Sequence, residues 1–218
     1  MAAVAWLHGA RFLTTAAQLS QLPSTALPEL AFVGRSNAGK SSAINRLTQQ
    51  RQLAHASRTP GRTQHINLFA VGAPSAPDAL LADLPGYGYA AVARTAKQRW
   101  QAVLAQYLVQ RPNLSGLVLL VDIRRGLTEL DEQLIGWIRP RLAGGAVRLL
   151  LLLTKCDKLG RAAADQALKA TVDRLAQLLP PDADAGAVLF SALDGRGVGD
   201  AATVLRAWAQ APALQTTT

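Results

Sequence analysis

The chain has 218 residues, 50% of them hydrophobic and 17% charged; that length suits one domain with one core, and that apolar content is too high for a disordered chain. Its apolar runs, among them Leu117–Val121 and Leu149–Leu153, fall far short of the about 20 residues that a spanning helix needs, so no integral membrane association is expected. Lys and Arg number 23 against 14 Asp and Glu, a net charge of +9, which favours a polyanionic partner.

Residues 1–26 read as an N-terminal extension. Their apolar patch, Ala2–Leu7, has no basic residue before it and no evident cleavage site, so a signal peptide is not expected and a cytoplasmic location is. Glu29–Val33 reads as a strand entering a glycine-containing loop, and Lys40–Thr48 as a helix. Gln64–Val71 alternates like a half-buried strand, and the proline-bearing Ala73–Pro77 turns it into a second strand, Ala79–Asp83. Arg94–Gln110 has helical spacing, with Trp100, Leu104 and Leu108 on one face. Leu117–Ile123 and Ala146–Leu153 are apolar runs of strand length. Arg161–Leu179 is a helix stopped by Pro180 and Pro181, Ala187–Phe190 a short strand, and Val198–Gln210 a closing helix. Residues 27–211 then form one domain, and 212–218 a flexible tail.

Strands alternating with helices predict an α/β fold of three layers, a mostly parallel six-stranded sheet with helices on both faces. Ligands of such sheets bind beyond the carboxyl ends of the strands. Four motifs fall at strand ends. Gly34-Arg35-Ser36-Asn37-Ala38-Gly39-Lys40-Ser41 fits G-x-x-x-x-G-K-[ST] between a strand and a helix, a loop whose amides wrap phosphates while the lysine reaches the β- and γ-phosphates and the serine hydroxyl holds Mg²⁺. Asp83-Leu84-Pro85-Gly86 supplies a carboxylate for Mg²⁺ through a water and a glycine amide for the γ-phosphate. Thr154-Lys155-Cys156-Asp157 reads the base: the Asp157 carboxylate can accept two hydrogen bonds from guanine, and adenine offers no such pair. Lys155 can lay its stem on the purine. After Phe190, Ser191-Ala192-Leu193 brings the Ala192 amide toward the guanine oxygen. The order points to GTP or GDP as ligand, with Mg²⁺.

The finer text resembles the EngB/YsxC (YihA) family of ribosome-biogenesis GTPases, within the translation-factor-related branch. The resemblance rests on AFVGRSNAGKSSAINRL, RTPGRTQHINLF, DLPGYGYA, VDIRRGLTELD and LLLTKCDKL and spans roughly residues 10–210. It implies a Ras-like fold, Mg²⁺-dependent GTP hydrolysis, a role in large-subunit assembly, and a need for the protein in normal septation and cell division. It also assigns Gly61-Arg62-Thr63-Gln64-His65 to the first switch, with Thr63 as the Mg²⁺-contacting residue beside Ser41. Lys40, Thr63, Gly86 and Asn37 are then the residues expected to act on the reacting phosphate.

Three positions depart from the commoner pattern. Tyr87 stands where many such enzymes carry a water-positioning glutamine, which predicts slow intrinsic hydrolysis. Asn37 resembles the residue at this loop position in some P-loop GTPases that use K⁺ as an added charge; the alternative is that it only satisfies backbone groups of the loop. Thr154 replaces an asparagine, predicting affinity of about micromolar order because a hydroxyl makes fewer hydrogen bonds than an amide. The lone Cys156 allows no intrachain disulfide and is expected to be a small buried hydrophobe.

The basic excess is concentrated. No acid lies between Glu29 and Asp78, and only Asp122 between Asp83 and Glu129. Arg46, Arg51, Arg58, Arg94, Lys97 and Arg99 are therefore candidates for rRNA phosphates. The expected partners are precursors of the large ribosomal subunit, rRNA and ribosomal proteins, rather than DNA, and the chain is expected to be a monomer. The competing reading is a non-catalytic guanine nucleotide module that recruits division or membrane proteins.

Overall fold

The computed structural model describes residues 2–54, 65–88 and 94–211, with the backbone alone for 94–100. Seven strands form one sheet: β1 (Arg11–Ala16), β2 (Glu29–Gly34), β3 (Ile66–Ala73), β4 (Ala76–Asp83), β5 (Leu114–Asp122), β6 (Arg148–Thr154) and β7 (Ala185–Leu189), in the spatial order β1-β3-β4-β2-β5-β6-β7. From β4 to β7 neighbouring strands are parallel; β3 pairs antiparallel with both β4 and β1. The expected six-stranded sheet is thus corrected to seven. The added strand comes from the N-terminal segment, whose Arg11 and Ala16 pair with Ala70 and Ile66.

The central strands are apolar on both faces because helices cover both, so period-two alternation becomes a continuous run. Val33, Leu117, Leu119, Leu149 and Leu151 enter one core, with Leu104 of α3 (Arg94–Gln110), Ile138 of α4 (Glu129–Ala143) and Leu175 of α5 (Arg161–Leu178). Phe32, Val118, Leu120, Leu150 and Leu152 enter the other. Its helical wall is Leu7 of α1 (Ala2–His8), Ile44 of α2 (Lys40–Thr48) and Leu205 of α6 (Val198–Gln210).

Two polar clusters hold the periphery. Glu29, fully buried at the start of β2, takes Arg111 Nε at 3.0 Å and Nη2 at 2.9 Å, and the Tyr107 hydroxyl as well. Near the start of β4 Asp78 accepts Trp6 Nε1 at 2.7 Å and pairs with Arg206 at 2.6 Å, while Arg206 lies 4.9 Å over the Trp6 ring. This pins α1 to α6, so residues 2–22 are built into the domain instead of trailing from it. Because the parallel strands share a direction, Gly34, Asp83, Asp122, Thr154 and Leu189 end on one rim.

Candidate nucleotide site

The phosphate loop leaves β2 at Gly34 and enters α2 at Lys40. Gly34 cannot be larger, since a Cβ there would sit 2.8 Å from the Leu120 carbonyl of β5. Asn37 and Gly39 take left-handed backbone, φ 64° and 92°, which turns the loop so that the N-terminus of α2 opens into it. That end carries the positive pole of the helix dipole. Lys40 forms an ion pair with Asp83, and both side chains are nearly buried, 11% and 1% exposed. This brings the lysine of the first motif and the carboxylate of the second together at the ends of β2 and β4. Ser41 follows Lys40 in the first turn of α2.

The second motif is tied to the loop by backbone. Leu84 N donates to Phe32 O at 3.0 Å, Tyr87 N to Gly34 O at 3.3 Å, and Ser36 N to Tyr87 O at 2.8 Å. Gly86 lies against the loop, with Ser36 N 3.5 Å from where its Cβ would be. Leu84 itself is core, 1% exposed, and Pro85 carries the chain from it to Gly86, so this motif offers the site its backbone and Asp83.

The base motif reaches the loop from the other side. The Thr154 hydroxyl lies 2.6 Å from Ala38 O and 3.1 Å from Val121 O. Lys155, in left-handed backbone at φ 60°, donates to Asn37 O at 2.7 Å and pairs with Asp122 at 3.0 Å. Asp157 accepts the Ser191 hydroxyl at 2.8 Å, and Leu193 N and Asp194 N donate to that hydroxyl oxygen at 3.2 and 3.3 Å. The Ser191 hydrogen bond, with Lys158 nearby, holds the Asp157 carboxyl below the usual carboxylate range. It is therefore an ionised acceptor at neutral pH, as a guanine-reading carboxylate must be. Ala192 lies between Ser191 and the exposed Leu193. Phe190 and Cys156 are buried, at 0% and 1% exposed, and burial pushes the Cys156 thiol up.

Of the expected site residues, Gly34 to Ser41, Asp83 to Gly86, Thr154 to Asp157 and Phe190 to Ala192 lie together along this rim. His65 is exposed just before β3. Gly61, Arg62, Thr63 and Gln64 lie outside the described residues, as does Arg58.

The motifs gave no role to Asp122 and Asp131, which the structure puts beside the site. Asp122 ends β5, and hydrogen bonds from Arg124, with Lys155, hold its carboxyl far below the usual range. Its place at a strand end between two motif-bearing strands was the available signal. Asp131 closes a capping box with Thr128 at the start of α4; Thr128-x-x-Asp131 is that signature in the sequence. Tyr87 turns its hydroxyl to Asp131 and not toward Lys40.

Residues 29–155 match the family described as "50S ribosome-binding GTPase". The chain is 59% identical over 205 residues to "Probable GTP-binding protein EngB" of Acidovorax ebreus, covering 94% of this chain and 90% of that one. With the protein of the same name from Albidiferax ferrireducens it shares 55% over 208 residues, covering 95% and 96%. Among solved structures, that of "a probable GTP-binding protein engB" superposes with a TM-score of 0.61 at 20% identity, covering 84% of this chain and 98% of that one. Era in complex with MgGDPNP and a segment of 16S ribosomal RNA gives 0.62 at 18% identity, covering 88% and 60%. These two likenesses carry the fold, a Ras-like P-loop GTPase sheet. The phosphate loop, the ionised Asp157 carboxylate and identity sustained across almost the whole chain lead to one conclusion: this chain belongs to the EngB family of GTP-binding proteins and carries its GTPase domain.

Proposed function

We propose that this chain is a Mg²⁺-dependent switch that binds GTP, hydrolyses it slowly on its own, and acts in the cytoplasm as a monomer on precursors of the large ribosomal subunit. It is needed for normal septation and cell division. The observation that carries the nucleotide assignment is the ionised Asp157, fixed by Ser191 across the rim from the phosphate loop. Support for the ribosomal partner comes from the +9 net charge and from the description of the matching family. Arg46 and Arg51 flank a groove at the end of α2 that Ala192 and Leu193 also line. RNA phosphates bound there would lie next to the base-reading loop.

The donor set suits Mg²⁺. Ser41 and Asp83 offer hard oxygen ligands at the mouth of the phosphate loop, and the described residues hold no cluster of three or more His, Cys, Asp or Glu. Mg²⁺ commonly takes one or two protein ligands plus phosphates and waters. Ser41 would hold the ion directly, with Thr63, and Asp83 through a water; the ion would neutralise charge on the β- and γ-phosphates. Lys40 would exchange its pairing with Asp83 for the phosphates, and Gly86 would offer its amide to the third one. Asn37 is the residue toward which K⁺ would bind; hydrolysis faster in KCl than in NaCl supports that, and equal rates reject it.

The test is sedimentation of ribosomal fractions with the protein in GDP, GTP or a non-hydrolysable analogue, at two salt concentrations. Co-sedimentation with large-subunit particles that is strongest with the analogue and weaker at high salt is expected. Binding indifferent to nucleotide and salt overturns the reading. One observation favours the second reading, a non-catalytic recruitment module: Tyr87 is engaged by Asp131 and does not aim at the site. Hydrolysis stimulated by ribosomal particles separates the two.

A further inference from the structure

The residue after D-x-x-G has an occupation of its own here. Tyr87 joins the phosphate loop through its backbone, accepting from Ser36 N at 2.8 Å and donating to Gly34 O at 3.3 Å, and joins α4 through its hydroxyl, which donates to Asp131 Oδ1. The receiving carboxylate is fully employed. Its second oxygen takes Thr128 N at 2.8 Å and Thr128 Oγ1 at 2.7 Å, and Asp131 is 1% exposed. Burial and the neighbouring carboxylate push the Tyr87 hydroxyl far above its ordinary range, so it remains a donor at any physiological pH. Immediately beyond it, Gly88 and Asp131 open onto a cavity of about 390 Å³ that Arg35 and Arg124 also line. The Tyr87 ring packs against the core and Gly88 lies against Arg35 and Leu130, and the hydroxyl bond adds a polar tie from this turn to the cap of α4.

We propose that Tyr87 is a positioning residue, a clamp onto Asp131 that sets the Gly86 amide against the phosphate loop before a nucleotide arrives, so that preference for the triphosphate over the diphosphate depends on it. Gly86 and Tyr87 share a peptide bond, so an anchor on the tyrosine restrains the amide one residue back. A pre-set donor is not ordered at the expense of binding. Only a ligand with a third phosphate benefits, because the diphosphate does not reach Gly86. The inference rests on the GTP-binding reading above and adds to it a residue that acts through another.

Tyr87→Phe removes the hydroxyl and leaves the ring. Calorimetric titration of GDP and of a non-hydrolysable GTP analogue with Mg²⁺ into the wild type, Tyr87→Phe, Asp131→Asn and the double variant tests the clamp. Analogue affinity in Tyr87→Phe should fall by about tenfold with GDP affinity within about twofold of wild type, and the double variant should bind no more weakly than Asp131→Asn alone, since both changes remove one contact. Asp131→Asn also loosens the cap of α4, so Tyr87→Phe carries the decision if that variant does not fold. Equal loss for both nucleotides, loss for neither, or strictly additive losses overturn the clamp. A wild type that binds neither nucleotide overturns the GTP-binding reading itself. A wild type that prefers GTP, with an unchanged GTP-to-GDP ratio in Tyr87→Phe, overturns the clamp alone.

Discussion

Asp157→Asn isolates base recognition from phosphate binding. In the wild type the carboxylate is held ionised by the Ser191 hydroxyl at 2.8 Å and is 13% exposed, so two hydrogen bonds from guanine would be charge-assisted. Each such bond contributes about 1.5–3 kcal/mol. Asparagine keeps one acceptor for the Ser191 hydroxyl but turns an N–H donor toward guanine's own donors, so both bonds are lost or opposed. The loss should come to about 3–4 kcal/mol, or roughly 10²- to 10³-fold in GTP affinity. Xanthine presents a carbonyl where guanine has its amine, and the new amide can donate to it, so XTP should bind more tightly than GTP. The phosphate loop lies across the rim and is untouched, so the variant should still bind a nucleotide. Titration calorimetry with GTP, XTP and ATP reads all three. GTP affinity within about threefold of wild type, or no gain for XTP, would refute the assignment of Asp157 as the base reader.

Arg111→Met should be costly, because it strands the fully buried Glu29 carboxylate. A loss of about 3–5 kcal/mol is expected, seen as a fall in melting temperature of roughly 10 °C; a fall below about 2 °C would refute it. Asp122 has a lowered folded-state pKa, caused first by Arg124 and then by Lys155, so it binds fewer protons folded than unfolded. Its stabilisation is complete above the unfolded value of about 3.9 and drains away as pH falls below it. Melts of wild type and Asp122→Asn should therefore differ most near neutrality, with the gap beginning to narrow only below about pH 4, whereas a gap that widens in acid would overturn the sign. Cys156 is 1% exposed with its thiol pushed up by burial, so a maleimide should label it only on unfolding; labelling of native protein within minutes would contradict this.

The motifs were legible because each is a local string at the end of an apolar run, and the parallel sheet delivers strand ends to one rim. Elements whose cause is distant were not. Strand β1, with Phe12 58% and Leu13 46% exposed on adjacent positions, lacks clean alternation. It is a strand only because β3, more than fifty residues on, offers it an edge. Helix α4 was missed although Thr128-x-x-Asp131 announces it, since Gly136 and Pro140 dilute its helical signal; burial of Leu134, Ile135, Ile138 and Leu142 outweighs them. The turn expected over Ala73–Pro77 is shorter, because strand pairing continues to Ala73–Ala76. Thr154 shows where residue type alone misleads. Its hydroxyl is spent on the Ala38 and Val121 carbonyls, so counting its bonds to a nucleotide does not measure affinity. It is a strut between base loop and phosphate loop.

The Trp6–Asp78–Arg206 cluster has a consequence for biosynthesis. Trp6 leaves the ribosome before Asp78 and Arg206, which complete its setting and follow about seventy and two hundred residues later. Until α6 emerges, one face of the sheet lacks its cover and the opening helix has nothing to rest on. The domain therefore closes only once α6 has emerged, in a high-contact-order step. Lesions in α1 or in α6 should leave the same half-clad intermediate.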